Sequence, residues 1–176
     1  MENMGAVFMV AGPGLRVDRV VGVAGDVIAP INEGNFSQSS LCKLSGYYGL
    51  KRFLKDGHQT GLEDPQRLHY ESEELKKFEN VESEWPLFFA YLMLDGCFFG
   101  DDAQVKTYAE KLEQIAVTRN GVKLLPEVYY VPPALLEAER AKPGSQQRLP
   151  NDNLPLVWAQ SLWLLARMLQ DKLVSV

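Results

Sequence analysis

The residue with the greatest potential for acid–base chemistry is Glu127. It is the single acid in an apolar, β-branched and aromatic stretch that runs from Val122 to Val131. Burying a carboxylate in such surroundings is costly unless the group is hydrogen-bonded or kept for proton transfer. The alternative is an exposed glutamate at the end of a short extended segment, and the residue types alone leave both interpretations open.

Arg52 and Asp56 form a second group that could do chemistry. They stand four residues apart in Lys51-Arg52-Phe53-Leu54-Lys55-Asp56-Gly57. On a helix this spacing allows the guanidinium to pair with the carboxylate, and on a loop both side chains could point at a polar ligand. Both interpretations make the two residues candidates for ligand binding.

Trp85 is the third candidate, because it follows Glu84 at the start of a strongly apolar segment. A polar and aromatic mouth at the edge of a helical core is a typical place for a ligand site. The simpler interpretation is a core helix whose N-terminus carries an acidic cap of Glu79, Glu82 and Glu84.

The remaining reactive residue types show no pattern of a cofactor or metal site. His58 and His69 have no carboxylate or thiol at ligand spacing, so we interpret them as loop histidines, and we expect neither metal nor cofactor. Cys42 and Cys97 are interpreted as buried thiols in a reducing, cytoplasmic setting. The glycines around Pro13 indicate a turn rather than a phosphate loop, since no Gly-Lys-Ser/Thr ending follows them.

Composition excludes several classes of protein. The chain has 176 residues, of which 46% are hydrophobic, and a formal charge of −5, which suits a soluble domain with a sizeable core. The sequence has no basic stripe, so nucleic acid is not an expected partner. It contains no apolar run of the roughly 20 residues that a transmembrane helix needs, and its first residues do not have the pattern of a secretory signal.

The central segment predicts a helical hairpin. Its first helix would be capped by Ser83, would place Pro86 in the first turn, and would stop at Gly96 or Gly100. Asp101 and Asp102 can cap the second helix, which is predicted from Ala103 to Val117. Its apolar face is expected to comprise the residues spaced three and four apart, Val105, Tyr108, Leu112 and Ile115.

Other segments complete an all-α prediction. Short helices are expected from Ser39 to Leu44 and from Pro132 to Arg140, and a long polar loop over residues 57–72. The last helix is predicted from Leu154 to Leu173, capped by Asn153, with mostly core-facing apolar positions. Residues 1–36 are rich in valine and glycine and predict an irregular N-terminal segment.

Several sequence blocks, in order, resemble one known region. The blocks are KRFLKDG (51–57), Glu63-Asp64-Pro65 with Arg67-Leu68-His69-Tyr70, FENVESEWPLFF (78–89) with Leu94-Asp95-Gly96, PEVYYVP (126–132) and GSQQRLPNDNLPLVWAQSLWLL (144–165). They are similar to the glucoamylase-like region shared by glycoside hydrolase family 15 and the α and β regulatory subunits of phosphorylase kinase. The resemblance implies an (α/α)6 toroid of helix pairs, of which residues 37–176 would form only the C-terminal part.

The resemblance also implies roles for the candidate residues. Family 15 enzymes invert the anomeric centre of α-glucosides, using one carboxylic acid and one carboxylate that activates water. Glu127 matches the catalytic base, Arg52 and Asp56 match an element that contacts sugar hydroxyls, with Phe53 where the family has Tyr, and Trp85 matches an aromatic residue of the pocket wall.

The family's general acid, found in a Trp-Glu block, has no match here, since Glu84-Trp85 has the reverse order and lies in a later block. General acid–base catalysis typically contributes about a hundred- to ten-thousand-fold, so we expect an α-glucan-binding fragment that is inactive alone.

The alternative is a non-enzymatic regulatory scaffold of glycogen metabolism, related to the phosphorylase kinase subunits and joined to the rest of its own domain or to a larger kinase complex. The amphipathic last helix also fits a partner such as calmodulin, although its polar face has only Arg167 and Lys172 as cations. An incomplete toroid would leave apolar helix faces uncovered and favour association with another chain.

Overall fold

The computed structural model describes residues 43–175. This range is mostly helical, with four α-helices and two small two-stranded antiparallel sheets. In chain order the elements are α1 (Pro86–Phe99), α2 (Asp102–Ile115), β1 (Val117–Arg119), β2 (Val122–Leu124), β3 (Tyr129–Tyr130), α3 (Leu136–Ala141), β4 (Leu149–Pro150) and α4 (Val157–Gln170), with 3₁₀ helices at Glu74–Phe78 and Pro133–Leu135. The predicted helical fold is therefore confirmed in its mostly helical character, the two small sheets depart from the all-α prediction, and the toroid stays a prediction.

Helix α1 is the centre of the fold. Its sequence is apolar on nearly its whole circumference, and such a helix must be covered on several sides. It packs against both α2 and α4, and it contributes seven of the 17 buried residues of the main hydrophobic core, more than any other element of the described chain. The predicted hairpin of α1 and α2 is confirmed.

The ends of the hairpin helices follow the predicted chemistry only in part. Gly100 ends α1 in the left-handed conformation at φ 69°, and Asp101 caps α2 by accepting a hydrogen bond from the Gln104 N–H at 2.9 Å. Gly96 lies inside α1, where the absence of a Cβ leaves room for Val105 of α2. Ser83 is not a cap, because its hydroxyl donates to the Gln59 carbonyl and α1 begins only at Pro86.

The last helix differs more from its prediction. It begins at Val157, and Asn153 does not cap it. Its buried face consists of Ala159, Trp163 and Ala166, because the two alanines allow close approach to α1. The outward face carries four exposed large apolar side chains, Val157, Trp158, Leu164 and Leu165. The prediction of mostly core-facing apolar positions in this helix is therefore wrong at Val157, Trp158 and Leu165.

Backbone pairing next to α1 joins distant segments. Glu84 and Tyr129 exchange N–H to carbonyl hydrogen bonds of 2.9 and 2.8 Å, and Trp85 pairs in the same way with Leu50 at 2.9 and 3.3 Å. The segment that precedes α1 therefore lies between the chain around residue 50 and strand β3, which in turn pairs with β4.

Several predictions concern residues outside the described range, namely the irregular segment 1–36, the turn around Pro13, Cys42 and most of the helix predicted from Ser39. Lys43 and Leu44 are helical, in agreement with the end of that helix. Cys97 is a free, partly buried thiol. Within residues 43–175, no helix is long and apolar enough to cross a membrane.

Candidate functional site

Arg52 and Asp56 form a bidentate ion pair on a loop. The guanidinium donates from Nε to Asp56 Oδ2 at 2.6 Å and from Nη2 to Oδ1 at 2.8 Å, which is bidentate geometry. Asp56 is only 3% exposed, while a third of the Arg52 side chain is exposed. The carboxylate thus fixes an arginine whose outer part faces solvent.

Trp85 lies under this arginine and is not itself an open surface. Its indole is 7% exposed, the Arg52 guanidinium carbon lies 4.9 Å from the ring centroid, and the His58 ring stacks on it at 5.7 Å and 19°. In the described part of the chain, the buried Trp85 Nε1 has no hydrogen-bond partner. The indole therefore supports the two polar side chains through ring contacts, which are worth about 0.5–1 kcal/mol at exposed sites.

Glu127 is held in place by amide groups. Its backbone N–H donates to the Asn153 carbonyl at 3.0 Å, and its Oε2 accepts from the Asn151 amide at 2.9 Å and the Asn153 amide at 3.4 Å. The side chain remains 17% exposed. Of the two interpretations of the sequence, a hydrogen-bonded and mostly buried carboxylate is the one observed.

His58 connects these groups, and sequence reasoning missed it. Its Nε2 lies 3.7 Å from Glu127 Oε1, its Nδ1 lies 3.6 Å from Glu63 Oε1, and its backbone N–H donates to Asp56 Oδ1 at 3.0 Å. No sequence spacing pointed to this arrangement, because its carboxylate partner Glu127 is distant along the chain. His69 lies elsewhere and is 77% exposed.

The structure thus brings Arg52, Asp56, Trp85 and Glu127 together, with His58 between them. We call these five residues the Arg52–Glu127 site. The pairing of Trp85 with Leu50 places the Arg52 loop on one side, and the pairing of Glu84 with Tyr129 places the Glu127 segment on the other. A cavity of about 710 Å³ near Cys97, Val105 and Leu173 contains none of the five.

A buried ionic network lies at the same junction. The Arg148 guanidinium contacts Glu84 Oε1 at 2.9 Å and Glu139 Oε1 at 3.3 Å and donates to the Glu82 carbonyl. Glu82 accepts from Lys51 Nζ at 2.8 Å and from the Lys55 N–H at 2.7 Å. These contacts fasten the loop that carries Arg52 to the segment that precedes α1, so Glu82 and Glu84, predicted as part of a helix cap, serve instead as anchors between segments.

Burial shifts the ionisation of two groups at this junction. Desolvation raises the pKa of Glu84 above its usual range, although Arg148 opposes the shift. Burial raises the pKa of Tyr129 to about 12, so its phenol stays protonated at neutral pH and donates to the Ile115 carbonyl. Glu84 and Tyr129 lie beside the Arg52–Glu127 site and are not among its five residues.

The site presents hydrogen-bonding groups with a net negative charge. Arg52 is balanced by Asp56, and Glu63 and Glu127 add two carboxylates beside a histidine. The negative charge of this surface disfavours phosphate, and its mixture of donors and acceptors can form hydrogen bonds with hydroxyl groups. Within residues 43–175, no group of three or more His, Cys, Asp or Glu side chains is arranged to hold a metal ion.

Comparison with known proteins gives a consistent family of relatives. No family model matches the sequence. The chain is 48% identical over 135 residues to the skeletal muscle isoform of phosphorylase b kinase regulatory subunit alpha from Oryctolagus cuniculus, an alignment that covers 76% of this chain and 11% of that subunit. The homologues of this chain are phosphorylase b kinase regulatory alpha subunits.

Other relatives agree with this result. A probable regulatory subunit alpha from Drosophila melanogaster is 48% identical over 143 residues, covering 81% of this chain and 12% of the subunit. The liver isoform from Mus musculus is 44% identical over 146 residues, covering 82% and 12%. The chain therefore spans about an eighth or less of the length of these regulatory subunits, whose names support the scaffold alternative over the glycosidase interpretation.

Proposed function

We propose that this chain is a non-enzymatic segment of a regulatory subunit in glycogen metabolism, and that its Arg52–Glu127 site binds α-glucan. The observation that carries the regulatory role is the 48% identity to regulatory subunit alpha over 76% of the chain. The partner of the chain in this role would be a larger kinase complex. The exposed apolar face of α4 offers a surface for such an assembly.

Three features support glucan as the ligand. The exposed part of Arg52 keeps donors at a fixed position, Glu127 offers acceptor oxygens, and the net negative charge of the site disfavours anionic ligands. The adjacent Phe53 ring is 39% exposed and can pack against the C–H face of a sugar. We assign Trp85 a supporting role beneath Arg52 and His58, since its own ring is covered.

Glycoside hydrolysis is not part of the proposal. An inverting glycosidase needs a general acid in addition to the carboxylate that activates water. Glu127 is the candidate for the second role alone, and no Trp-Glu block supplies the first. We therefore expect binding of maltose without release of glucose.

The test is isothermal titration of the full 176-residue chain with maltose and with acarbose, together with a glucose-release assay. Arg52→Ala should abolish saturable binding. Arg67→Ala is the matched control, because Arg67 also makes a bidentate pair, with Glu74, and lies 4.5 Å from the centroid of the Tyr70 ring. Absence of binding by folded wild-type protein would reject the glucan ligand, and release of glucose would reject the non-enzymatic role.

A further inference from the structure

The two carboxylate oxygens of Glu127 have different surroundings. Oε2 accepts from the side-chain amides of Asn151 at 2.9 Å and Asn153 at 3.4 Å. Within residues 43–175 no donor forms a hydrogen bond with Oε1, since Nε2 of His58, at 3.7 Å, lies beyond direct hydrogen-bonding distance. Oε1 is therefore the acceptor that this partly exposed side chain can offer to a ligand.

Asn151 decides which of the two oxygens stays open. Its backbone N–H donates to the Val128 carbonyl at 3.1 Å, and its side-chain Oδ1 accepts from the Val128 N–H at 3.4 Å. A reversed amide would place its NH2 group against the Val128 N–H, so this contact sets the orientation of the amide. Nδ2 of Asn151 is thus a donor at a fixed position, and it occupies Oε2 of Glu127.

Asn153 contributes less to this selection. Its side chain is exposed, its amide nitrogen lies 3.4 Å from Glu127 Oε2, and its side-chain oxygen accepts no hydrogen bond from the described part of the chain. The Asn153 amide can therefore turn to suit either a donor or an acceptor at this position. The Asn151 amide has no such freedom, because turning it would break its contact with Val128.

We propose that Asn151 is a positioning residue, which holds Glu127 so that Oε1 faces the ligand and acts there only as a hydrogen-bond acceptor. A ligand must then supply a donor at this point of the Arg52–Glu127 site. A sugar hydroxyl supplies one, and a fluorine in place of that hydroxyl does not. The inference rests on the proposed glucan-binding function and adds a requirement on the ligand.

The experiment is titration of the full chain with maltose and with fluoromaltoses in which single hydroxyls of the non-reducing ring are replaced by fluorine. In the wild type, fluorine at the hydroxyl that donates to Oε1 should weaken binding about 10- to 100-fold, as expected for a lost hydrogen bond to a charged group. The ratio of the dissociation constants of this analogue and maltose measures the discrimination. A general weakening of binding cancels from this ratio.

Glu127→Gln should abolish the discrimination. Asn151 Nδ2 would pair with the glutamine oxygen, and the glutamine NH2 group, a donor, would face the ligand. Combining Glu127→Gln with Asn151→Asp reverses the pair, because the new aspartate accepts from that NH2 group and the glutamine oxygen turns to the ligand. Discrimination should then return at about 3- to 10-fold, as for a hydrogen bond between neutral groups.

Asn120→Asp is the matched control for Asn151→Asp, because Asn120 is exposed in the turn between β1 and β2. Combined with Glu127→Gln, it changes the charge in the same way and should not restore discrimination. Circular dichroism of each variant checks that it is folded.

Three results would overturn this inference alone, with maltose binding by the wild type intact. They are a wild type that disfavours none of the fluorinated analogues, a folded Glu127→Gln protein that discriminates like the wild type, and a folded double variant with Asn151→Asp that does not discriminate. Glu127→Gln decides by itself if the double variant does not fold. Absence of maltose binding by folded wild-type protein would overturn both this inference and the glucan-binding function.

Discussion

Arg148 Nε lies 2.9 Å from Glu84 Oε1, and both side chains are at least 96% buried. Glu139, which is fully buried, lies 3.3 Å from the same guanidinium and accepts from the Gly144 and Gln146 N–H groups. Buried charges are tolerated only when they are paired and hydrogen-bonded. This network joins the segment before α1 to α3 and to the loop before β4, and so fixes the backbone on which Glu127 and Trp85 stand.

Replacing Arg148 should strongly destabilise the protein. Arg148→Met removes the cation that pairs with Glu139 and leaves Glu84 without its nearest cation. Loss of one partner from a buried ion pair costs about 3–5 kcal/mol. Urea denaturation followed by circular dichroism would measure the change in unfolding free energy. Lys76→Met, at an exposed pair with Glu73, is the control and should change it little.

The pH dependence of stability should reveal the desolvation of Glu84. Its folded pKa is raised above 4.5 because burial outweighs the attraction of Arg148. The folded state therefore binds the proton more tightly, so the contribution of Glu84 is fully present below pH 4.5 and is lost as pH rises through the raised pKa. The unfolding free energy of the wild type minus that of Glu84→Gln should fall as pH rises from 4.5.

Glu74 provides the control with the opposite sign. The hydrogen bond from Arg67 lowers the pKa of Glu74 to about 2, so its contribution is present above pH 4.5 and is lost as pH falls through about 2. Wild type minus Glu74→Gln should therefore rise with pH across the acid range. A difference for Glu84 that also rises with pH would contradict the dominance of desolvation.

The parts of the fold that could be predicted are those set by local sequence. The α1–α2 hairpin, the Gly100 stop and the Asp101 cap each depend on residues within a few positions of one another. The predicted start of helix α4 was wrong, because the Asn153 side chain donates to the distant Glu127 instead of capping the helix. The burial predicted for its outward face was also wrong, since periodicity shows an apolar stripe but not whether a neighbouring element covers that stripe.

Four of the five members of the candidate site were predictable, but His58 and the geometry of the site were not. Arg52 with Asp56 follows from a spacing of four, whereas His58 with Glu127 depends on a tertiary contact between residues 69 positions apart. Trp85 was expected as an open wall, and the stacking of Arg52 and His58 that covers it leaves no trace in the linear sequence. The role of the Arg52–Glu127 site in sugar binding stays a prediction.

The close approach of Gly49 to Trp85 makes this glycine sensitive to substitution. A Cβ at position 49 would lie 2.3 Å from the carbonyl carbon and oxygen of Trp85, in the backbone that pairs with Leu50. Because backbone atoms cannot rotate away, Gly49→Ala should cost about 1–3 kcal/mol of unfolding free energy, measured by urea denaturation.

Gly61→Ala is the matched control for Gly49→Ala. The new Cβ would lie 3.2 Å from the Val131 carbonyl oxygen, a contact that a small shift relieves. The loss of freedom in the unfolded chain adds about 0.4–1 kcal/mol of stability, so this variant should be nearly neutral. Equal destabilisation by both substitutions would show that the contact with Trp85 is not the cause.

The outward face of α4 should make the isolated chain associate. Leu164 is 59% exposed, and with Val157, Trp158 and Leu165 it forms an uncharged apolar strip along one side of the helix. Helices that are apolar on both sides are normally buried on both sides, so copies of the chain are expected to cover this strip for one another.

Sedimentation velocity across a range of protein concentrations would measure this association, with the average mass of the wild type rising as concentration increases. Leu164→Glu should keep the protein monomeric without loss of helical content, because the new carboxylate would be desolvated only in the associated state. Leu68→Glu, at a fully exposed leucine on the loop of residues 57–72, should associate like the wild type. If Leu68→Glu also prevents association, or if the wild type stays monomeric throughout, the α4 strip is not a contact surface between copies of this chain.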